Sequence, residues 1–558
     1  VLAAVLGAWL AGALVFFYAE WSTGFNRVFG NVADGRLTVY LNEEWYLVLK
    51  GSEPWRSPPF FYPLKGVLGY SDSFVLYQIF FAPFRALGAD PFLAQQLTLI
   101  ALSLVGFSCF VALARATFRT TLFIAIVGAL VFTFANNIAL HAGSVQIFGI
   151  YFVPPIALLA LWSWRRRFDR PSLSALGAAA AGGLYALFLF STYYAAWLAL
   201  LGAGIVAVFV VLFNPKEAVR SGGAALRTGW RTLLGGVIGA GVGIIPFAQT
   251  YLPIVHQFGT RHYALAIRNY APAVSQLWSP GHQNFLWDDV FHYPYPAPRS
   301  IAVGSSYALT PLLSLTMVAG VVVIVFAVLT HRARMTRTLR LTLALCCTAI
   351  VLSVLPLETS AGSLWIIVWH LPGASAIRAV GRVGLAADLV AAFALVGLAT
   401  EAMHHWTRLR QSSGLRAVAV VLLCLIVVEQ AQGTLSSKLW RNEQLAILAL
   451  VRPAPANCRS FYVIAPAPTK MLAGAVQTEA MLISQQLGLP TINGYSGETP
   501  PTWKFPNPYK TPYFPMIRTW VQTNHLRDVC ALNIVTMRWD AHPGTTAVSP
   551  APPRGRQA

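Results

Sequence analysis

Charge is the scarcest commodity in this chain, and negative charge the scarcest of all. Only 11% of its 558 residues are charged, with 20 acidic residues against 40 Lys and Arg. Hydrophobic residues make up 56%, and the mean hydropathy is +0.58. That is more apolar surface than a water-facing globule can bury, which excludes an ordinary soluble domain. A Walker phosphate loop, a dinucleotide fingerprint, zinc-ligand spacing and a nucleophile elbow are all missing. Their absence argues against a nucleotide-driven pump and against direct use of a soluble nucleotide sugar. No internal repeat is visible, which weakens an inverted-repeat transporter. No series of ten-residue segments alternates with period two, which excludes an outer-membrane barrel.

What the chain does have is long apolar runs. Eleven read as membrane spans: roughly 1–19, 92–114, 121–138, 147–164, 174–190, 195–213, 232–254, 307–330, 340–356, 380–400 and 415–431. The run 73–88 carries Pro83 and Arg85 and reads as an interfacial or short helix. Residues 1–19 read as an anchor rather than a cleaved signal peptide, since no small-residue cleavage site follows; the first residue is Val, which leaves the true N-terminus open. With the N-terminus placed in the cytoplasm, the inside loops collect Arg115 and Arg119; Arg165, Arg166, Arg167 and Arg170; Lys216, Arg220, Arg227 and Arg231; Arg332, Arg334, Arg337 and Arg340; and Arg408, Arg410 and Arg416. The short outside loops 139–146 and 191–194 contain no Lys or Arg. This positive-inside pattern accounts for the net charge of +20 without a nucleic-acid partner.

The expected fold is therefore an all-α polytopic membrane domain of about eleven transmembrane helices with a small C-terminal α/β domain outside the membrane. Residues 1–432 form the membrane domain, with a first outside loop at 20–91 and a long outside loop at 255–306. Residues 433–541 form the outer domain, where CRSFYVIAP and CALNIVTMRW predict strands and 474–487 predicts a helix. Residues 542–558 read as a disordered tail. The chain sits in a bacterial inner (plasma) membrane on this reading, with its C-terminal domain periplasmic or extracellular. Cys458 and Cys530 are the only cysteines outside the spans, so they are the disulfide candidates.

The densest polar stretch is 31–72, NVADGRLTVYLNEEWYLVLKGSEPWRSPPFFYPLKGVLGYSD, which holds Asp34, Glu43, Glu44, Glu53 and Asp72. A carboxylate at the edge of a low-dielectric wall can serve as a general base. Asp34-Gly35 is equally a turn dipeptide, and Asp72 equally a helix cap for the run after it. Glu43 and Glu44 read as the wet edge of an interfacial helix. Arg378 and Arg382 lie four apart, on one helical face at the outer end of the tenth span. They break the positive-inside trend, and an anionic ligand would explain the breach, since arginine grips phosphate with a planar fork. Pairing with Glu358 or lipid headgroups is the structural alternative.

The pieces DGRL (34–37), SPPFFYP (57–63), GYSD (69–72), GSSYALTPLL (304–313) and PGASAIRAVGR (372–382) resemble a bacterial, YfhO-like branch of the GT-C superfamily of membrane glycosyltransferases. That resemblance implies transfer of a sugar from a polyprenyl-phosphate donor to a glycan, lipid or protein acceptor on the outer side of the membrane. It also implies an acidic general base in the first loop, which Asp34 matches. Several GT-C enzymes carry a second acidic motif in the next outside loop. Here that loop, NNIALHAGSVQ, has none. A divalent metal is thereby in doubt, leaving transfer without metal or a metal held by other residues; no further cofactor is implied. Asp72, His141, Arg261 and His262 are further contacts for acceptor, sugar or metal. Asp288-Asp289 reads as a solvated turn, and Tyr193, Tyr194 and Trp503 suit sugar stacking or a membrane interface. A flippase for a lipid-linked glycan and a non-catalytic envelope assembly protein are the rival readings.

Overall fold

The computed structural model describes residues 1–258, 270–281, 283–290, 309–330, 334–405, 412–433, 439–465, 471–510 and 512–540. Arg261 and His262, like Arg268, His282 and His292, lie outside them. Among the described residues, eight helices are long and apolar enough to cross a membrane: Pro91–Phe118, Leu122–His141, Val145–Arg165, Pro171–Ser191, Tyr193–Phe213, Pro311–Leu329, Arg337–Val354 and Val380–His404. The pair Pro215–Gly243 and Ile245–Val255 is bent by 51° and makes a ninth if counted as one span. Two shorter apolar helices, Leu2–Phe16 and Ser413–Val428, complete a helical membrane domain. The expected span at 232–254 begins earlier, at Pro215, so Lys216, Arg220, Arg227 and Arg231 sit on a helix rather than in a loop. Pro215 at its first position and Asn214 as its cap, accepting from the Glu217 amide, start it there.

Small residues let helices approach backbone to backbone. Pro171–Ser191 and Pro215–Gly243 meet along Ala175, Ala179 and Gly183 on one side and Gly235, Gly239 and Gly243 on the other. A Cβ added at Gly239 would overlap the Ala179 carbonyl oxygen.

Residues 31–72 are not a loop throughout. Asp34–Leu49 is a helix, and beyond the stretch Gln78–Ala86 is the short helix expected within 73–88. Their apolar faces bury Leu37, Val39, Tyr40, Leu41 and Phe81. Glu43 and Glu44 are buried rather than wet. Each has a partner that explains it: Arg85 grips Glu43 with two bonds of 2.6 and 2.8 Å, and Gln485 donates to Glu44 at 3.0 Å.

Ser460–Ile464 pairs in parallel with Val529–Asn533, which pairs antiparallel with Arg538–Trp539. Ala473–Leu487 covers this small sheet, and Cys458 is bonded to Cys530 with Cα atoms 5.7 Å apart. This C-terminal segment does not stand apart from residues 1–432. Tyr462, Met481, Leu482, Ile492 and Trp503 share one apolar core with Phe60, Phe61 and Tyr40, and Arg36 reaches across to Glu479 at 3.2 Å. Leu439–Trp440 adds a two-residue pairing with Arg27–Val28.

Candidate functional site

The Asp34–Leu49 helix has to start where it does. Asn31 Oδ1 accepts from the amides of Ala33 (2.8 Å) and Asp34 (2.6 Å), capping the first turn from three residues upstream. Gly30, at φ +107°, lets the chain turn back so closely that a Cβ there would overlap the Gly35 Cα. Asp34 is thus the first helical residue rather than half of a turn, and its carboxylate projects from a helix N-terminus.

Three donors fix that carboxylate. Tyr495 OH donates to Oδ1 at 2.8 Å; Ser144 Oγ (3.0 Å) and Asn31 Nδ2 (3.3 Å) donate to Oδ2. Burial first, and then the Asp34 charge, push the Tyr495 phenol above its ordinary range, so it stays a protonated donor. Ser144 also accepts from Arg382 Nη2 at 2.9 Å, so one hydroxyl links guanidinium to carboxylate.

Arg378 and Arg382 do not share a helical face. They lie in an irregular stretch with two short 3-10 turns, Ala374–Ala376 and Val380–Val383, ahead of the Gly384–His405 helix. Three side chains at the start of Tyr193–Phe213 hold that stretch by its carbonyls: Tyr193 OH on Gly373 (2.9 Å), Trp197 Nε1 on Pro372 (3.0 Å) and Tyr194 OH on Ala376 (3.3 Å). Tyr194 OH also accepts from the Arg378 amide at 2.7 Å. The Arg382 guanidinium lies 5.2 Å over the Tyr194 ring and that of Arg378 5.5 Å over Tyr270. The acidic partner of Arg378 is Glu498, at 3.8 Å, not Glu358.

Asp72 caps a helix, but not the run after it. Its Oδ1 accepts from the Tyr193 amide at 2.9 Å, at the N-terminus of Tyr193–Phe213. Burial pushes its carboxyl up to about 6, against the opposing pull of that amide and of Arg382. His141 Nδ1 bonds the Asn137 carbonyl at 2.9 Å; a carbonyl only accepts, so Nδ1 carries the proton and Nε2 the lone pair. The neighbouring asparagines are structural: Asn136 Nδ2 donates to the Pro280 carbonyl (2.8 Å) and Asn137 Nδ2 to Asp388 (3.1 Å).

All five expected residues that are described here line one cavity of about 1040 Å³: Asp34, Asp72, His141, Arg378 and Arg382. Tyr193 and Tyr194 line it too, while Trp503 is buried in the outer core, donating to the Ile492 carbonyl at 3.0 Å. Asp288 and Asp289 lie elsewhere, in a turn. One flank is apolar and faces outward: Leu200, Leu252 and Val255 are 53%, 54% and 59% exposed. Among the described residues no three His, Cys, Asp or Glu side chains are placed to hold a metal ion.

Sequence reasoning missed Asn31, Ser144, Tyr495 and Glu498. Ser144, Tyr495 and Glu498 are ordinary polar residues whose importance comes from contacts over long separations, 110 residues for Ser144 and 461 for Tyr495, whereas Asn31 acts locally on Ala33 and Asp34. Comparison with models of known protein families finds none that matches, and no curated protein matches the chain.

Proposed function

We propose that this chain is an integral-membrane glycosyltransferase of the GT-C type. It moves a sugar from a polyprenyl-phosphate donor to an acceptor hydroxyl on the outer side of a bacterial inner membrane. The observation that carries the reading is a single cavity in which one fixed carboxylate and two arginines stand beside an apolar wall exposed at the level of the membrane helices. A lipid tail suits that wall, and a phosphate suits the arginines.

In this reading the acceptor O–H attacks the anomeric carbon, the bond from that carbon to phosphate oxygen breaks, and the proton passes to Asp34. The lipid phosphate leaves against Arg382 and Arg378, whose positive charge offsets what develops on the leaving oxygen. Ser144 and Asn31 hold Asp34 by Oδ2 and so keep the carboxylate oriented at the moment of reaction. In this reading the bent pair crosses the membrane as one span and the two shorter helices cross as well, for about eleven spans, with the N-terminus cytoplasmic and the C-terminal segment outside.

The test is a panel of radiolabelled polyprenyl-phosphate sugars, offered to the purified protein with cell-envelope extract as acceptor source. Label should leave the lipid with the wild type. With Asp34→Asn, folded to the same thermal midpoint, transfer should fall by a factor on the order of 10²–10⁴. Equal transfer by both proteins removes Asp34 from the chemistry, and no transfer from any donor by the wild type removes the enzyme.

A further inference from the structure

The stretch 494–498, Gly-Tyr-Ser-Gly-Glu, touches both halves of the site at once. Tyr495 OH occupies Asp34 Oδ1 at 2.8 Å. Three residues on, Glu498 Oε1 lies 3.8 Å from Arg378 Nη1. Backbone bonds tie the stretch down at each end: the Phe61 amide donates to the Asn493 carbonyl (2.9 Å) and the Glu498 amide to the Tyr70 carbonyl (3.0 Å). The proposed base and the proposed phosphate grip are therefore both engaged by one short strap of the C-terminal segment.

The two engagements differ in strength. Tyr495 to Asp34 is a short hydrogen bond to a charged group. The Arg378–Glu498 pair is long, with the two side chains 46% and 31% exposed. A solvated pair of this kind contributes little and exchanges readily for a better anion. A phosphate oxygen can meet the guanidinium fork at hydrogen-bond distance, where Glu498 does not.

Resting on the reading above, we infer that Glu498 is an internal competitor for the anion site. It sets the affinity of Arg378 for phosphate, and its displacement lifts the strap so that Tyr495 leaves Asp34. The base is then free to take a proton only once an anion is in place. Substrate occupancy and base availability are linked through five residues, with no contact between the two ligands required.

The purified full-length protein in detergent is titrated with farnesyl phosphate, with farnesol as the uncharged control and inorganic phosphate as the tail-less one. Backbone hydrogen exchange is followed over 494–498. Glu498→Gln keeps the shape and removes the charge, so it should bind farnesyl phosphate on the order of fivefold tighter and farnesol unchanged. Exchange at the strap of the wild type should rise on binding farnesyl phosphate and not farnesol, a readout that needs no variant to fold. A wild type that binds farnesyl phosphate while Glu498→Gln binds it equally, or a strap whose exchange stays level or slows, overturns the inference and leaves the proposed function standing. Failure of both proteins to bind farnesyl phosphate overturns the two together. An equal response to inorganic phosphate keeps the latch and removes the lipid chain from the reading.

Discussion

Arg36 and Glu479 offer a sharp test of how the C-terminal segment holds the site. Their side chains are 8% and 1% exposed and meet at 3.2 Å. Arg36 Nη1 also donates to the Ala475 carbonyl at 3.2 Å, and Gln444 Nε2 donates to Glu479 Oε1 at 2.6 Å. Burial raises the Glu479 carboxyl and lowers the Arg36 guanidinium from their ordinary values, so each charge is sustained chiefly by the other. Removing either leaves an uncompensated buried charge, and Arg36→Met or Glu479→Leu alone should cost about 3–5 kcal/mol. The double variant removes both charges together. It leaves the Gln444 amide short of a partner, at about 1–3 kcal/mol, while the Ala475 carbonyl keeps Thr478 Oγ1 at 3.1 Å, so recovery should be nearly complete but not full. The expected double variant is still well above the sum of the singles, with a coupling of roughly 3 kcal/mol or more. Thermal unfolding of the four proteins in one detergent measures this, and protease cutting of the C-terminal segment reports whether undocking is the first event. Strict additivity would refute the reasoning, because it would mean the two charges do not depend on each other.

Three further outcomes follow from the geometry. Asp72 titrates in the folded state at about 6, above the ordinary carboxyl value, so wild-type stability is full below about pH 4 and is lost as pH rises through about 6. Asp72→Asn still accepts from the Tyr193 amide; it should match the wild type at about pH 3 and exceed it by about 1–3 kcal/mol at about pH 7.5, and a pH-independent difference between the two unfolding curves would contradict this. Gly239→Ala should destabilise by about 1–3 kcal/mol, whereas Gly241→Ala, with open space around its Cβ, should be neutral or slightly stabilising in the same unfolding assay. Arg378→Lys keeps the charge but not the fork, so farnesyl phosphate should bind about tenfold more weakly with no change in thermal midpoint; undiminished affinity would take Arg378 out of the anion site.

The membrane helices were legible because hydrophobic period and length are local properties. Each expected span overlaps an apolar helix wherever its residues are described, and the misjudged start at 232 is instructive. The segment 215–231 carries four cations and six glycines and alanines, which on composition reads as a loop. It is helical because Asn214 and Pro215 start it as a helix, which runs on into the small-residue surface that packs against Pro171–Ser191 from Gly235 onward, and only the facing helix shows that. Glu43 and Glu44 went astray for the related reason that burial of a carboxylate is decided by its partner. Arg85 is 42 residues from Glu43, and Gln485 is 441 from Glu44.

The site divides along the same line. Asp34, Asp72, Arg378 and Arg382 could be picked out because scarce charge in a hydrophobic chain needs a reason to be where it is. The reasons turned out to be shared. Asp72 caps the Tyr193 helix, the aromatic residues of that helix pin the stretch carrying Arg378, and Arg382 reaches Asp34 through Ser144. A change at any of these positions therefore acts on the others through rigid contacts at about 3 Å, rather than through diffuse electrostatics. Effects of paired substitutions within Asp34, Ser144 and Arg382 should for that reason be non-additive. Ser144→Ala, which removes no charge, should lower transfer more than its modest chemistry suggests, because it cuts the link between the guanidinium and the carboxylate.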